Sequence, residues 1–307
     1  MSMQKWSWRI IIALILSAAG FAIISFFGFN HSFQNANGHF DPLLASQFGN
    51  FVGGLVGPMF YLASVFLIYE TIIAQNKSFE KQQFETKFFE LIRFHRQNVT
   101  EMEYRVPWED HKYITGPLVF REIKSQFTKL YKIVFPFVEA SATIPADKKK
   151  IDAVNITYQL LFFGVSQSTL PIIEQLLDRK YDKLLIRNII EEVRKEKTTY
   201  NPDSTYYSGH QVRLAHYYRH LYQLVDYVDK TDFLNEEQKY SYIKMLRAQL
   251  SQHEIALFFL NSLSLGQPWV KNDYINKYKL IKNLPPNFID EIDPKDYYSG
   301  FEYEWEE

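Results

Sequence analysis

The hydrophobic pattern along the chain changes once. Residues 10–29, IIIALILSAAGFAIISFFGF, carry no charge. As a helix this run rises about 30 Å, the thickness of the hydrocarbon core of a bilayer. Residues 48–69, FGNFVGGLVGPMFYLASVFLIY, form a second uncharged run that includes Pro58 and four glycines. Membrane helices accept Gly and Pro where neighbouring helices cover the freed backbone. From residue 70 the pattern becomes mixed. Residues 70–102 hold no Gly or Pro, and Phe84, Phe88, Leu91 and Ile92 recur at helical spacing among Lys, Glu and Gln. The second run is therefore predicted to continue as a long amphipathic helix.

Pro107-Trp108 and Gly116-Pro117 mark a break. Further helices are predicted over 118–140, interrupted at Pro136, and over 147–164, capped by Asp147. Another runs from Pro171 towards Lys197 in one or two pieces, and the strongest pair covers 209–230 and 235–265. A polar loop with Asn201-Pro202 fills 198–208. No alternating strand and no fixed-period repeat stands out. The expected fold is all-α: a two-helix transmembrane hairpin over 1–74, a cytosolic helical bundle over 75–270 and an extended acidic tail over 271–307.

Charge orients the hairpin. Lys5 and Arg9 precede the first run, residues 30–47 hold no Lys or Arg, and Lys77, Lys81, Lys87, Arg93 and Arg96 follow the second. The positive-inside rule then places both termini in the cytoplasm and the short loop outside, with Trp6 and Trp8 at the interface. Ser17-Ala18-Ala19 imitates a signal-peptide cleavage site, but the apolar run continues past it and a second run follows. A buried hairpin in a soluble protein is the other alternative, and two uncharged runs of this length are unusual there. Gly49, Gly53 and Gly57 share one helix face, suited either to self-association or to packing within the hairpin.

Composition removes several chemistries. With 34 Lys plus Arg against 35 Asp plus Glu, the net charge of -1 gives no bulk attraction for nucleic acid. The absence of Cys excludes disulfides, thiol nucleophiles and Cys-ligated zinc. There is no phosphate-binding Gly-rich loop, GxSxG elbow or HExxH. No metal or cofactor is expected.

Two segments could carry a site. In 209–228, GHQVRLAHYYRHLYQLVDYV, His216 and His220 share a helix face with Arg213 one turn earlier, and His210 and Arg219 add to the polar set. A His can move a proton near neutral pH, and an Arg can steady phosphorane charge. In 240–265, YSYIKMLRAQLSQHEIALFFLNSLSL, the residues Arg247, Gln249, Ser251, Glu254 and Asn261 form a polar series. Arg247 and Glu254 lie two turns apart, suited to framing one site or to pairing with other helices. Hydrogen bonding within the bundle is the structural alternative for both segments. The spacings Arg213–His220 and Arg247–His253 resemble the Arg–His pairs of HEPN ribonucleases, although Leu214 and Ala248 replace the polar residue usual after the Arg. That resemblance implies a metal-independent ribonuclease acting through Arg213, His220, Arg247 and His253.

A broader resemblance runs through most of the chain up to residue 265. GHQVRLAHYYRHLYQLVDYV followed by YIKMLRAQLSQHEIALFFLNSLSLG is similar to the signature half of the phage abortive infection family, often called AbiC-like. FETKFFELIRFHRQNV over 84–99 resembles its opening helix, and FGNFVGGLVGPMFYLASVFLIYETI its second membrane span. Near Gly116 the likeness is poorer, with Pro117 where a basic residue is expected. The resemblance implies a bacterial inner-membrane protein that arrests or kills the infected cell. The positions it brings forward are His216, Tyr218, Arg219, Leu221, Tyr222, Arg247, Gln249, Leu250, Ser251, Glu254 and Asn261, without an established active site. The partners expected are the lipid bilayer, further copies of the chain, and a phage-encoded trigger or a co-encoded defence protein; RNA enters only if the protein is a ribonuclease. A non-enzymatic scaffold that recruits an effector through its acidic end is the third possibility.

Overall fold

The computed structural model describes residues 8–30, 33, 39–106, 112–200, 207–290 and 292–306. Lys5, Trp6, Pro107-Trp108, Asn201-Pro202 and much of the loop between the two apolar runs lie outside the described residues. The chain divides into two compact units, 1–87 and 88–307.

In the first unit, α1 (Trp8–Asn30) coincides with the first apolar run. Helix α2 (Pro42–Phe51) starts at Asp41, whose carboxylate accepts from the amides of Leu43 and Leu44 at 2.9 and 3.3 Å, with Pro42 at the first helical position. One π-helical stretch, Val52–Val56, leads without a break into α3 (Gly57–Thr100), which joins the two units covalently. Both apolar helices are long and apolar enough to cross a membrane. Their side chains, including Ile11, Ile15, Phe21, Leu62 and Ile68, are largely exposed in the isolated chain. An apolar surface of this extent is costly in water and costs nothing in lipid.

The hairpin closes at Ala13, Gly20, Val56 and Ala63, so packing within the hairpin is not the use that Gly49, Gly53 and Gly57 serve here. Ala13, Val56 and Ala63 are buried. A Cβ at Gly20 would come within 3.1 Å of Val56 Cγ1 and 3.2 Å of Phe60 Cε2. By contrast, a Cβ at Gly49, Gly53 or Gly57 meets nothing within 4 Å. The π-helical stretch Val52–Val56 lies between Gly49 and Gly57. At one end of the hairpin Arg9 pairs with Glu70 at 3.0 Å and lies over the Tyr69 ring.

Among the described residues of the second unit, the helices are accompanied by one short antiparallel hairpin, β1 (Glu103–Arg105) with β2 (Tyr113–Thr115), in which Tyr104 faces Ile114. Three-residue strands are too short to show as alternation in the sequence. Helix α4 (Pro117–Ala140) runs on through Pro136, which sits on its exposed side, and buries Phe120, Ile123, Phe127, Leu130, Val134 and Val138 at helical spacing. Helix α5 (Lys149–Phe163) is buried nearly all round; it follows a short 3-10 turn and takes no side-chain cap from Asp147. Helices α6 (Leu170–Leu177) and α7 (Lys183–Tyr200) make two pieces of the stretch after Thr169.

Backbone contacts tie the start of helix α8 (Gln211–Asp229) to the end of α5. Gly164 has φ +81° and Gly209 φ +93°; a Cβ on the first would lie 2.4 Å from the carbonyl carbon of Ser208, and on the second 2.5 Å from the carbonyl oxygen of Phe163. His210 N donates to Phe162 O and Val165 N to Tyr207 O, each at 2.9 Å. Only glycine fits so close an approach at positive φ.

The segment expected as one helix over 235–265 is two: α9 (Glu236–Arg247) and α10 (Gln252–Ser262). Each begins with a reciprocal capping box, Asn235 with Gln238 and Ser251 with Glu254. The chain beyond 270 is not extended. Short helices α11 (Gln267–Lys271) and α12 (Tyr274–Tyr278) come first, and Ile289, Ile292, Phe301 and Tyr303 are then buried. Tyr298 Oη donates to Ser262 Oγ at 2.9 Å and Trp305 Nε1 to Leu284 O at 3.1 Å.

Candidate functional site

Helix α8 supplies the site, because its neighbours on every side use its polar residues. On one side His210 is buried. Gln126 Nε2 donates to Tyr104 Oη at 2.9 Å, which leaves Gln126 Oε1 to accept from His210 Nε2 at 3.0 Å. Burial lowers its pKa to about 3, so the ring is neutral near pH 7, with its bare Nδ1 buried and unpaired among the described residues. His210 holds the start of α8 in place.

Arg213 lies over the Tyr104 ring and donates from Nε to Glu103 O at 2.7 Å. Together with His216, Asn98 and Tyr217 it lines a cavity of about 580 Å3. His216 and His220 meet ring to ring at 4.8 Å. Burial, and then His216, lower the pKa of His220. The structure thus brings Arg213, His216 and His220 along one face of α8.

The second Arg–His pair is placed differently. The capping box at Ser251 ends α9, so Arg247 and Glu254 do not share a helix face. Arg247 is buried and donates from Nη1 to Lys279 O at 2.8 Å, which fastens the chain that follows α12. His253 packs on Phe288 at 5.1 Å, with its pKa lowered first by burial and then by Lys124 and Arg121.

Glu254 is the centre of a buried polar hub. Its side chain is 0% exposed, and it accepts from Ser251 N at 2.9 Å, Ser251 Oγ at 2.7 Å, Tyr217 Oη at 3.2 Å and Arg96 Nη1 at 3.2 Å. Next to Arg96, His95 packs on Tyr217 at 4.8 Å with neither ring nitrogen hydrogen-bonded among the described residues. Burial, then Arg96 and His220, hold its pKa down at about 3. A second chain of bonds runs from Asn261 Nδ2 to Tyr158 Oη, from there to Tyr218 Oη, and on to Leu257 O, at 3.1, 3.1 and 2.9 Å. Burial raises the pKa of Tyr158, Tyr217 and Tyr218, so all three stay protonated as donors.

Tyr218, Arg219, Tyr222 and Asn261 line a second cavity of about 570 Å3 with Trp269. Gln249 lies in the turn between α9 and α10, apart from these groups in the fold. Sequence reasoning passed over Arg96, His95, Tyr158 and Trp269. The signal for Arg96 was the sequence Ser251-x-x-Glu254, which places an acid in the first turn of a wholly buried helix and so calls for a cation from elsewhere.

Residues 209–289 match the model of the family described as "Putative phage abortive infection protein". The match begins at the Gly209 contact and takes in α8 through α12, including both ends of the Tyr217–Glu254 and Tyr218–Leu257 bonds. No curated protein and no solved structure matches the chain.

Proposed function

We propose that this protein is a membrane-anchored abortive infection protein of bacteria. Helix α1 and the apolar first part of α3 cross the inner membrane, and both termini lie in the cytoplasm. The helical unit of residues 88–307 senses infection, and the response arrests or kills the infected cell by disturbing the membrane. The observation that carries this reading is a chain that matches the abortive infection family over 209–289 and also bears two helices with outward-facing apolar surfaces. The open faces of Gly49, Gly53 and Gly57 support association between copies within the membrane.

The test has two parts. Fractionation with protease added from the periplasmic side should leave residues 88–307 in the membrane fraction and protected. Infected cells carrying the gene should admit a membrane-impermeant dye at growth arrest. An intact membrane at arrest removes the killing step, and undiminished phage yield removes the defence role.

One observation favours a second reading, a tethered ribonuclease: Arg213 and His216 line one cavity, with His220 against His216. The lowered pKa of His220 leaves it neutral at pH 7 and able to accept a proton. His220→Ala and His253→Ala variants that stay folded and still protect against phage would eliminate this reading.

A further inference from the structure

The cavity beside Tyr218 is built from a regular feature of α8. Residues 215, 218, 219, 222 and 223 recur at helical spacing and make one stripe, opposed by Asn261 and by the turn that leads to Trp269. The volume of about 570 Å3 falls in the range of small-molecule sites, roughly 300–1,000 Å3. Its walls are the rings of Phe162, Tyr218, Tyr222 and Trp269.

Polar groups of this lining remain unused among the described residues. Asn261 is 5% exposed; its Nδ2 donates to Tyr158, but its Oδ1 accepts no hydrogen bond among the described residues. Trp269 is 3% exposed, and its indole N–H has no acceptor among the described residues. Neither atom is sealed from solvent. Arg219 is exposed and has neither an ion pair nor a hydrogen bond among the described residues. Side chains so deeply buried usually find partners within the protein. Here an acceptor, a donor and a cation are left at one aromatic cavity.

The walls are also fixed in advance. A Cβ at Gly266 would lie 2.7 Å from Asn261 Oδ1 and 2.9 Å from Asn261 O, and the Gly266 amide donates to that same carbonyl at 2.8 Å. The turn is thus pressed against Asn261. Trp269 is wedged edge-on between Tyr222 at 5.1 Å and Phe258 at 4.8 Å. The Tyr218 hydroxyl is spent on Leu257 O, so this residue offers the cavity its ring. A ligand would meet a site that needs little reordering.

Each feature narrows the chemistry. Aromatic walls favour a planar ring, the paired acceptor and donor favour a ring with a hydrogen-bonding edge, and Arg219 favours an anion. A simple carboxylate leaves the walls unmatched, and a neutral aromatic leaves Arg219 unmatched. From this we infer that the cavity is a binding site for a small anionic molecule with a planar heteroaromatic ring, of which a mononucleotide is the nearest simple example.

The test is calorimetric titration of the full-length protein in detergent micelles with AMP, GMP, CMP and UMP, and with the nucleoside of whichever binds. At least one mononucleotide is expected to bind at or below about 100 µM. Arg219→Gln should weaken that nucleotide about tenfold, the loss of one charge-assisted contact, and leave the nucleoside unchanged. Ala215→Phe, which fills the cavity from the α8 stripe, should abolish both, with helix content by circular dichroism unchanged in each variant. The proposal is overturned if none of the four binds at about 1 mM, or if either folded variant binds the nucleotide as the natural chain does. It adds to the membrane reading without depending on it. The titration uses no infected cells, so a chain that binds nucleotide but fails to restrict phage overturns only the earlier proposal.

Discussion

Glu254 offers the most direct test of how the helical unit is held together. Its carboxylate caps α10 through Ser251, accepts from the buried Tyr217 hydroxyl on α8 and faces Arg96 on α3. Glu254→Ala removes all of these at once. Losing the capping box costs about 1 kcal/mol. Leaving the Tyr217 hydroxyl buried without an acceptor costs roughly 1–3 kcal/mol. Arg96 adds little, because its side chain is 30% exposed and can turn to water. The expected total is about 3 kcal/mol. Glu254→Gln keeps the box, since an amide oxygen still accepts from Ser251, and loses the charge and one acceptor; about 1–2 kcal/mol is expected. Ser251→Ala should still cost about 1 kcal/mol once Glu254 is Ala, because the Ser251 hydroxyl accepts from the backbone amide of residue 254 whatever side chain that residue carries. Urea unfolding of the full-length protein in micelles, followed by circular dichroism, reads these differences from the midpoints. Equal losses for Ala and Gln, or a loss below about 0.5 kcal/mol for Ala, would refute the view that the carboxylate is the hub.

Three further outcomes follow from the same structure. Gly209→Ala sets a Cβ against the Phe163 carbonyl at φ +93° and should cost at least about 2 kcal/mol in the same urea assay. His95 and His210 both have folded pKa values of about 3, below the ordinary 6.5, so the unfolded chain binds more protons between those values. Stability should therefore fall as pH drops below about 6.5, by up to about 1.4 kcal/mol per pH unit for each ring, and His210→Gln should flatten the slope by one proton. Truncation after residue 289 removes the buried Ile292, Phe301 and Tyr303, and should give a protein that aggregates or is degraded rather than one that only loses a docking tail; unchanged solubility and melting would show that this stretch is dispensable.

Much of the architecture could be read from the pattern of residues, and the parts that could not have physical causes. The two apolar helices follow from long uncharged runs and α8 from its helical period, which no tertiary contact needs to correct. The break between α9 and α10 was present in the order Ser251-Gln252-His253-Glu254, but the apolar period continues across it and hides the cap. The C-terminal stretch misleads for a different reason. Its eight Asp or Glu against one Lys after residue 289 indicate a solvated end, whereas Ile292, Tyr298, Phe301 and Tyr303 set between the charges are buried. Whether such residues bury depends on a surface offered from far along the chain, here Ser262 and Leu284 among others. The same applies to the site. His216, Tyr218, Arg219 and Asn261 could be picked out one by one, but their division between two cavities depends on where the turn at Gly266 comes to rest.

The joint between Gly164 and Gly209 bears on how the molecule assembles. Two stretches of main chain lock there with no side chain between them, so the contact rewards nothing until both have arrived in register. Bringing them together closes a long loop, a search whose entropic cost grows only with the logarithm of the chain enclosed. Shortening the connection after α7 should therefore quicken refolding slightly and leave the unfolding rate almost untouched, and a methyl group at either glycine, acting on the same step, should slow refolding.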